Sequence, residues 1–169
     1  MRSVLDHSGF LPSIILVVGL AGFLRMARNS LWQVALFSLP GTVAHELSHF
    51  IVGAVTLAHP VRLSLWPRRS AGRWILGFVT FRNVNVLNGA FVALAPLLLL
   101  PVAIVLFSHV LLPFWVERQW LWWAIGGYVT ATFVLASLPS FQDIAMGARS
   151  ILFYVVLVVV PILALHYLR

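Results

Sequence analysis

A chain of 169 residues is long enough for one ordinary domain, but 62% of it is hydrophobic and only 9% is charged. Soluble domains run near half apolar and about a quarter charged, so too few charges remain here to coat a water-facing surface. Eleven basic and four acidic residues give a net charge of +7, every basic residue is arginine, and cysteine is absent. These numbers exclude a disordered chain, a disulfide scaffold and thiolate metal sites. Arginines lying between apolar stretches set orientation in a membrane rather than bind nucleic acid. The chain reads as an all-α polytopic membrane protein, a single membrane-embedded domain over residues 1–169 in contact with the lipid bilayer.

A helix needs roughly 20 residues to cross about 30 Å of hydrocarbon. The first candidate span covers residues 10–27. Arginine follows its apolar core at once and no small-residue cleavage site is present, which favours a retained span over a signal peptide. The second covers residues 31–58 and is polar only from Thr42 to His49. Residues 61–81 read differently, as a β-hairpin-like insertion between the second and third spans. Val61, Leu63 and Leu65 alternate with Arg62, Ser64 and Trp66, Arg68 to Gly72 form a polar turn, and a β-rich run ends at Phe81. The third span covers residues 90–112, broken by Pro96 and Pro101. The fourth covers 120–138 and stops at Pro139, and the fifth covers 151–168 and carries Pro161. The expectation is therefore about five transmembrane helices.

Five crossings would put Arg2, Arg62, Arg68, Arg69, Arg73, Arg82 and Arg149 on one side, and Arg25, Arg28, Arg118 and Arg169 on the other. That imbalance assigns the amino terminus and the hairpin to the cytoplasm, although Arg25 and Arg28 oppose it locally. Trp32, Trp115, Trp120, Trp122 and Trp123 then fall together at the outer interface, as an aromatic belt would.

The four acidic residues are Asp6, Glu46, Glu117 and Asp143. Asp6 and Glu117 lie outside the spans and are explained by solvation. Glu46 lies inside one, where an ionisable group is costly and reads as functional by default. Its surroundings are His45-Glu46-Leu47-Ser48-His49, the H-E-x-x-H pattern, on a segment that must be helical to cross lipid. Residues four apart share a helix face, so both imidazoles can reach one Zn²⁺ while Glu46 takes a proton from water. A hydrogen-bonded polar knot between helices is the bland alternative, but a knot needs no particular spacing.

Catalytic zinc usually takes three protein ligands. Asp143 is the best-placed third, because His7, His59, His109 and His166 lie near chain ends, in a loop or at a span end. At 1.5 Å per residue, His45 lies about 21 Å inward and Asp143 about 34 Å, a path that Pro139 shortens by breaking the helix. Asp143 reads either as the ligand or as an interfacial helix cap. Asn83, Asn85 and Asn88 lie between the hairpin and the third span. They can bind substrate backbone or stabilise an oxyanion, or they can end the strand and cap the helix.

On these residues the chain resembles the site-2 protease family of intramembrane zinc metalloproteases. His45, Glu46 and His49 on one span, a hairpin-like stretch, and a later span ending in Ser137-Leu138-Pro139-Ser140-Phe141-Gln142-Asp143 carry the likeness. The resemblance implies a three-helix core in which His45, His49 and Asp143 hold Zn²⁺ and Glu46 activates water. It implies hydrolysis of a peptide bond in a membrane-spanning substrate, with the strand-rich insertion holding that substrate extended. The usual distal motif places Asn before Pro and then Asp-Gly, with Pro and Asp five apart. Here Pro139 and Asp143 are four apart and Ile144 follows.

The function expected is an intramembrane zinc endopeptidase of a bacterial inner membrane, acting on a membrane-protein or peptide substrate. An adaptor or a second copy in a homo-oligomer is compatible with that function. The alternatives are an inactive zinc-binding chaperone or adaptor, and a small metal transporter.

Overall fold

The computed structural model describes residues 7–26, 39–65, 68–70, 73–75 and 77–167. Among these, five helices are α1 (His7–Met26), α2 (Leu39–Val55), α3 (Gly89–Val116), α4 (Trp120–Ala136) and α5 (Phe141–Tyr167). Four short strands, β1 (Pro60–Ser64), β2 (Arg68–Ser70), β3 (Arg73–Ile75) and β4 (Phe78–Phe81), lie between α2 and α3. By length and composition α1, α3 and α5 can cross a membrane, and α4 is a shorter apolar helix. Large apolar side chains are exposed along all of these helices, a surface that lipid solvates and water does not. Five full crossings are not what the helix lengths show.

The first two spans largely follow the sequence pattern. Residues 31–38 of the second lie outside the described residues, and α2 ends at Val55 rather than at residue 58. Leu57 and His59 take left-handed φ angles of 59° and 52°, which stops the helix. The Arg82 N–H then donates to the His59 carbonyl and the Asn83 N–H to the Ala58 carbonyl, tying the end of α2 to the hairpin.

The insertion folds as two antiparallel pairs in series, β1 with β4 and β2 with β3, rather than as one uninterrupted hairpin. Arg62 faces Thr80 and Ser64 faces Phe78 in the inner pair, and Ser70 faces Arg73 in the outer one. Residues 68–70 of the expected polar turn belong to β2, and residues 71–72 lie outside the described residues.

The prolines do not break α3. Its backbone tightens to a 3-10 turn at Ala95–Leu98 and widens to a π turn at Phe107–Leu111. Each proline thereby falls in the first turn of a new helical stretch: Pro96 in the 3-10 turn, Pro101 in Leu99–Leu106, Pro113 in Leu112–Val116. A first turn has no internal acceptor to lose, so the missing N–H costs little there.

The fifth helix starts at Phe141, ten residues before the expected 151, so Asp143 lies in its first turn and not in a connecting segment. It packs on the beginning of α3, where Gly147 lets its backbone close on Gly89 and Ala93. The Tyr154 hydroxyl donates to the Leu87 carbonyl at 2.8 Å, and residues 155–167 beyond it are exposed.

Helix α1 corrects the expected alternation of directions. Trp123 Nε1 donates to the buried Ser13 Oγ at 3.0 Å, Gly9 packs on Trp115, and Leu16 packs on Gly127. Val17, Leu111 and Ala131 form a small core between these helices. α1 therefore runs parallel to α4, starting at the tryptophan end, while the hairpin hangs from the opposite end. The arginine tally placed amino terminus and hairpin on one side; the packing puts the first turn of α1 and the hairpin at opposite ends of α4. Arg25, which opposed that tally, lies at the far end of α1 from Trp115.

Candidate metal centre

The site forms where α2, α3, α4 and α5 meet. α2 reaches α4 closely because Gly41 carries no side chain: a β-carbon there would lie 2.5 Å from the Thr132 carbonyl oxygen. One turn later His45 Nδ1 is 2.7 Å from the Ala136 carbonyl oxygen at the end of α4. A second turn along, the buried His49 has Nδ1 2.8 Å from the Val92 carbonyl oxygen of α3. The spacing of four thus does what a helix face requires, and each imidazole is gripped by a different neighbouring helix.

Both Nε2 atoms point to one spot. They lie 3.2 Å apart, and the Asp143 carboxylate closes the triangle with Oδ2 3.3 Å from His45 Nε2 and Oδ1 3.1 Å from His49 Nε2. These three residues can hold a metal ion, their ligand atoms all lying within 4.8 Å of one another. Among the described residues theirs is the one His, Cys, Asp or Glu cluster of this kind. His59 and His109 are exposed, His109 beside Ser108, and His166 lies far along α5 next to Tyr167.

A carbonyl oxygen only accepts, so each Nδ1 carries the hydrogen that meets it. With both rings neutral, the two Nε2 atoms are bare acceptors that face each other and a carboxylate. A metal ion would satisfy all four acceptor atoms, and a proton on one Nε2 would make the same contacts an ion pair. The carbonyl contacts are of the kind that fixes the tautomer of a metal-binding histidine.

Asp143 belongs at once to the His45–His49 cluster and to the start of α5. Its carboxylate completes the cluster, and it also accepts the Ser140 backbone N–H at 2.6 Å while its own N–H donates to Ser140 Oγ at 3.2 Å. That reciprocal pair is a capping box, Ser-x-x-Asp, and it is why α5 starts where it does.

Glu46 is buried, 9% exposed, and sits within electrostatic reach of His45, His49 and Asp143. Among the described residues nothing donates a hydrogen bond to its carboxylate, which leaves it free as a proton acceptor. Gly77, just before β4, covers it. A β-carbon at Gly77 would lie 2.6 Å from Glu46 Cγ and 3.0 Å from Cδ and Oε1. Gly77→Ala is therefore expected to displace the carboxylate while leaving the ligands alone. A misplacement of about 1 Å can cost about 100-fold in rate. The activity proposed for the site should then fall with metal content unchanged, and an unchanged rate would show that the contact is irrelevant.

The asparagines build a loop. Asn88 is buried, its amide nitrogen donates to the Asn83 and Thr56 carbonyls, and its Oδ1 accepts the Asn85 N–H at 2.8 Å. Asn85 Oδ1 accepts from Leu87 and Asn88, and Asn83 donates to the Leu57 carbonyl at 3.3 Å. These bonds join the end of the hairpin to the start of α3.

Sequence reasoning did not single out Gly77 or Ser140 as site residues. The signal for Ser140 was present, as Ser followed three residues later by Asp ahead of an apolar run. A lone glycine in a strand-like run marks a close backbone approach but does not say to what. The carbonyls of Ala136 and Val92 leave no mark on the sequence at all.

No protein-family model, curated protein or solved structure matches this chain.

Proposed function

We propose that this protein is an intramembrane zinc endopeptidase, with His45, His49 and Asp143 as the zinc ligands and Glu46 as general base. The observation that carries the reading is the convergence of two Nε2 atoms and a carboxylate, 3.1–3.3 Å apart, beside a buried glutamate. Donors about 2.0–2.1 Å from a tetrahedral zinc stand roughly 3.3–3.4 Å from one another, so the separations suit that ion. Two imidazoles and a carboxylate are a borderline nitrogen and oxygen set, and three protein ligands leave a position open for substrate chemistry.

Zinc held there would supply Lewis acidity, polarising a peptide carbonyl and acidifying water toward a pKa of about 7. Glu46 accepts the proton from the attacking water and returns it to the departing amine. Burial keeps bulk water away from the carboxylate and strengthens every charge interaction around it. The substrate backbone must be extended to be cut, and β4 leads away from Gly77 with β1 on one edge and no strand on the other among the described residues. Strand addition beside Val79–Phe81 would bring an unwound segment past Glu46. The substrate class is accordingly a membrane-protein segment that unwinds readily.

In the bilayer α1, α3 and α5 act as spans, and the site side chains come from α2 and the first turn of α5. At 17 residues each, α2 and α4 are about 25 Å long, a little under the hydrocarbon thickness. Arg62, Arg82 and Arg149 lie toward the hairpin and Arg118 at the tryptophan end, which favours a cytoplasmic hairpin.

The test is metal analysis of purified protein together with cleavage of a transmembrane peptide in proteoliposomes. About one zinc per chain is expected, with cleavage stopped by a chelator and restored by Zn²⁺. A folded protein that takes up no zinc, or cleavage indifferent to chelation, would overturn the proposal.

A further inference from the structure

We infer that Ser140 is a positioning residue for the metal centre, holding the Asp143 carboxylate in its ligating orientation through the capping box at the start of α5. The inference rests on the reading of His45, His49 and Asp143 as a metal site. Nothing else described would fix this carboxylate against rotation apart from the two imidazoles it meets.

Oδ2 of Asp143 is shared between the Ser140 N–H at 2.6 Å and His45 Nε2 at 3.3 Å, and Oδ1 is turned to His49. The reciprocal bond from the Asp143 N–H to Ser140 Oγ, 3.2 Å, closes a small ring of two residues' groups. With the ring closed, the plane of the carboxylate is set before any cation arrives. Without Ser140 Oγ the Asp143 N–H loses its partner, the first turn of α5 loosens, and the carboxylate is free to swing outward. Outer-sphere partners of this kind are typically worth 10–100-fold in metal affinity.

Ser140 is itself exposed, so shortening it opens no cavity and disturbs no packing. Pro139 before it has its φ fixed by the ring, which narrows the paths the chain can take from α4 into α5. Threonine serves nearly as well as serine at a helix N-cap, whereas alanine does not.

The experiment measures Zn²⁺ affinity by chelator competition on the full-length, metal-stripped protein in detergent, for wild type, Ser140→Ala and Ser140→Thr. Thermal melting of the metal-free forms is recorded alongside. Zinc binding about 10–100-fold weaker in Ser140→Ala, with Ser140→Thr close to wild type, is the expected result. Wild-type affinity in Ser140→Ala overturns the inference, even if metal-free melting falls, because that pattern marks a cap and nothing more. Weakened binding that threonine does not recover overturns it as well. A wild-type protein that binds no zinc overturns the metal reading itself, and this inference with it.

Discussion

Glu46→Gln is expected to abolish peptide cleavage and leave the bound metal in place. Glutamine has nearly the volume of glutamate, so it fits beneath Gly77, where the space is already tight. What it lacks is a proton acceptor of carboxylate basicity. General acid–base groups contribute about 10²–10⁴-fold to rate, a loss that takes a slow membrane protease below detection. The three ligands lie on other side chains, so zinc content should equal that of the wild type. Cleavage in proteoliposomes and metal analysis on the same preparation provide both readings. Undiminished cleavage would remove Glu46 as base. If instead the variant is as competent in the cell as the wild type, a zinc-binding adaptor becomes the better description.

His49→Ala is expected to lose metal and activity together. His49 is 3% exposed, and its two ring nitrogens serve different partners: the Val92 carbonyl on one side, His45 and Asp143 on the other. Alanine removes one donor of three and the hydrogen bond from the His49 ring, leaving the Val92 oxygen with the Ala95 N–H alone, a loss of about 1 kcal/mol. Zinc affinity should therefore fall by more than the roughly 10–100-fold that outer-sphere losses cost. Circular dichroism and elution in detergent establish that the variant is folded. Stoichiometric zinc in folded His49→Ala would contradict the assignment of this residue as a ligand.

The parts of the site that side chains carry were legible in the sequence. The spacing of His45, Glu46 and His49 on a helix, and Asp143 as the scarce acid beyond a proline, were enough to name the cluster that the fold brings together. What escaped was whatever depends on backbone. The start of α5 is fixed by two hydrogen bonds between Ser140 and Asp143, and apolar length alone pointed ten residues further on. The direction of α1 depends on Ser13 meeting Trp123 and Leu16 meeting Gly127, contacts across more than a hundred residues that no periodicity encodes. Prolines in α3 looked like breaks because a change of helix type, which renders each harmless, has no compositional signature. The asparagine run was ambiguous for a simpler reason: the same amide that could touch a ligand can also tie a turn.

The anchoring of His45 to α4 and of His49 to α3, with Asp143 on α5, would give a metal-filled centre a role in survival as well as in the proposed reaction. Four helices are buttoned together at one place, so occupancy contributes to folding free energy by mass action, about 2.7 kcal/mol at a free ion concentration a hundredfold above the dissociation constant. Starved of zinc, the protein would be quiet and also short-lived, its loosened bundle open to quality-control proteolysis. Cellular zinc supply would thereby set the abundance of the protein along with its turnover.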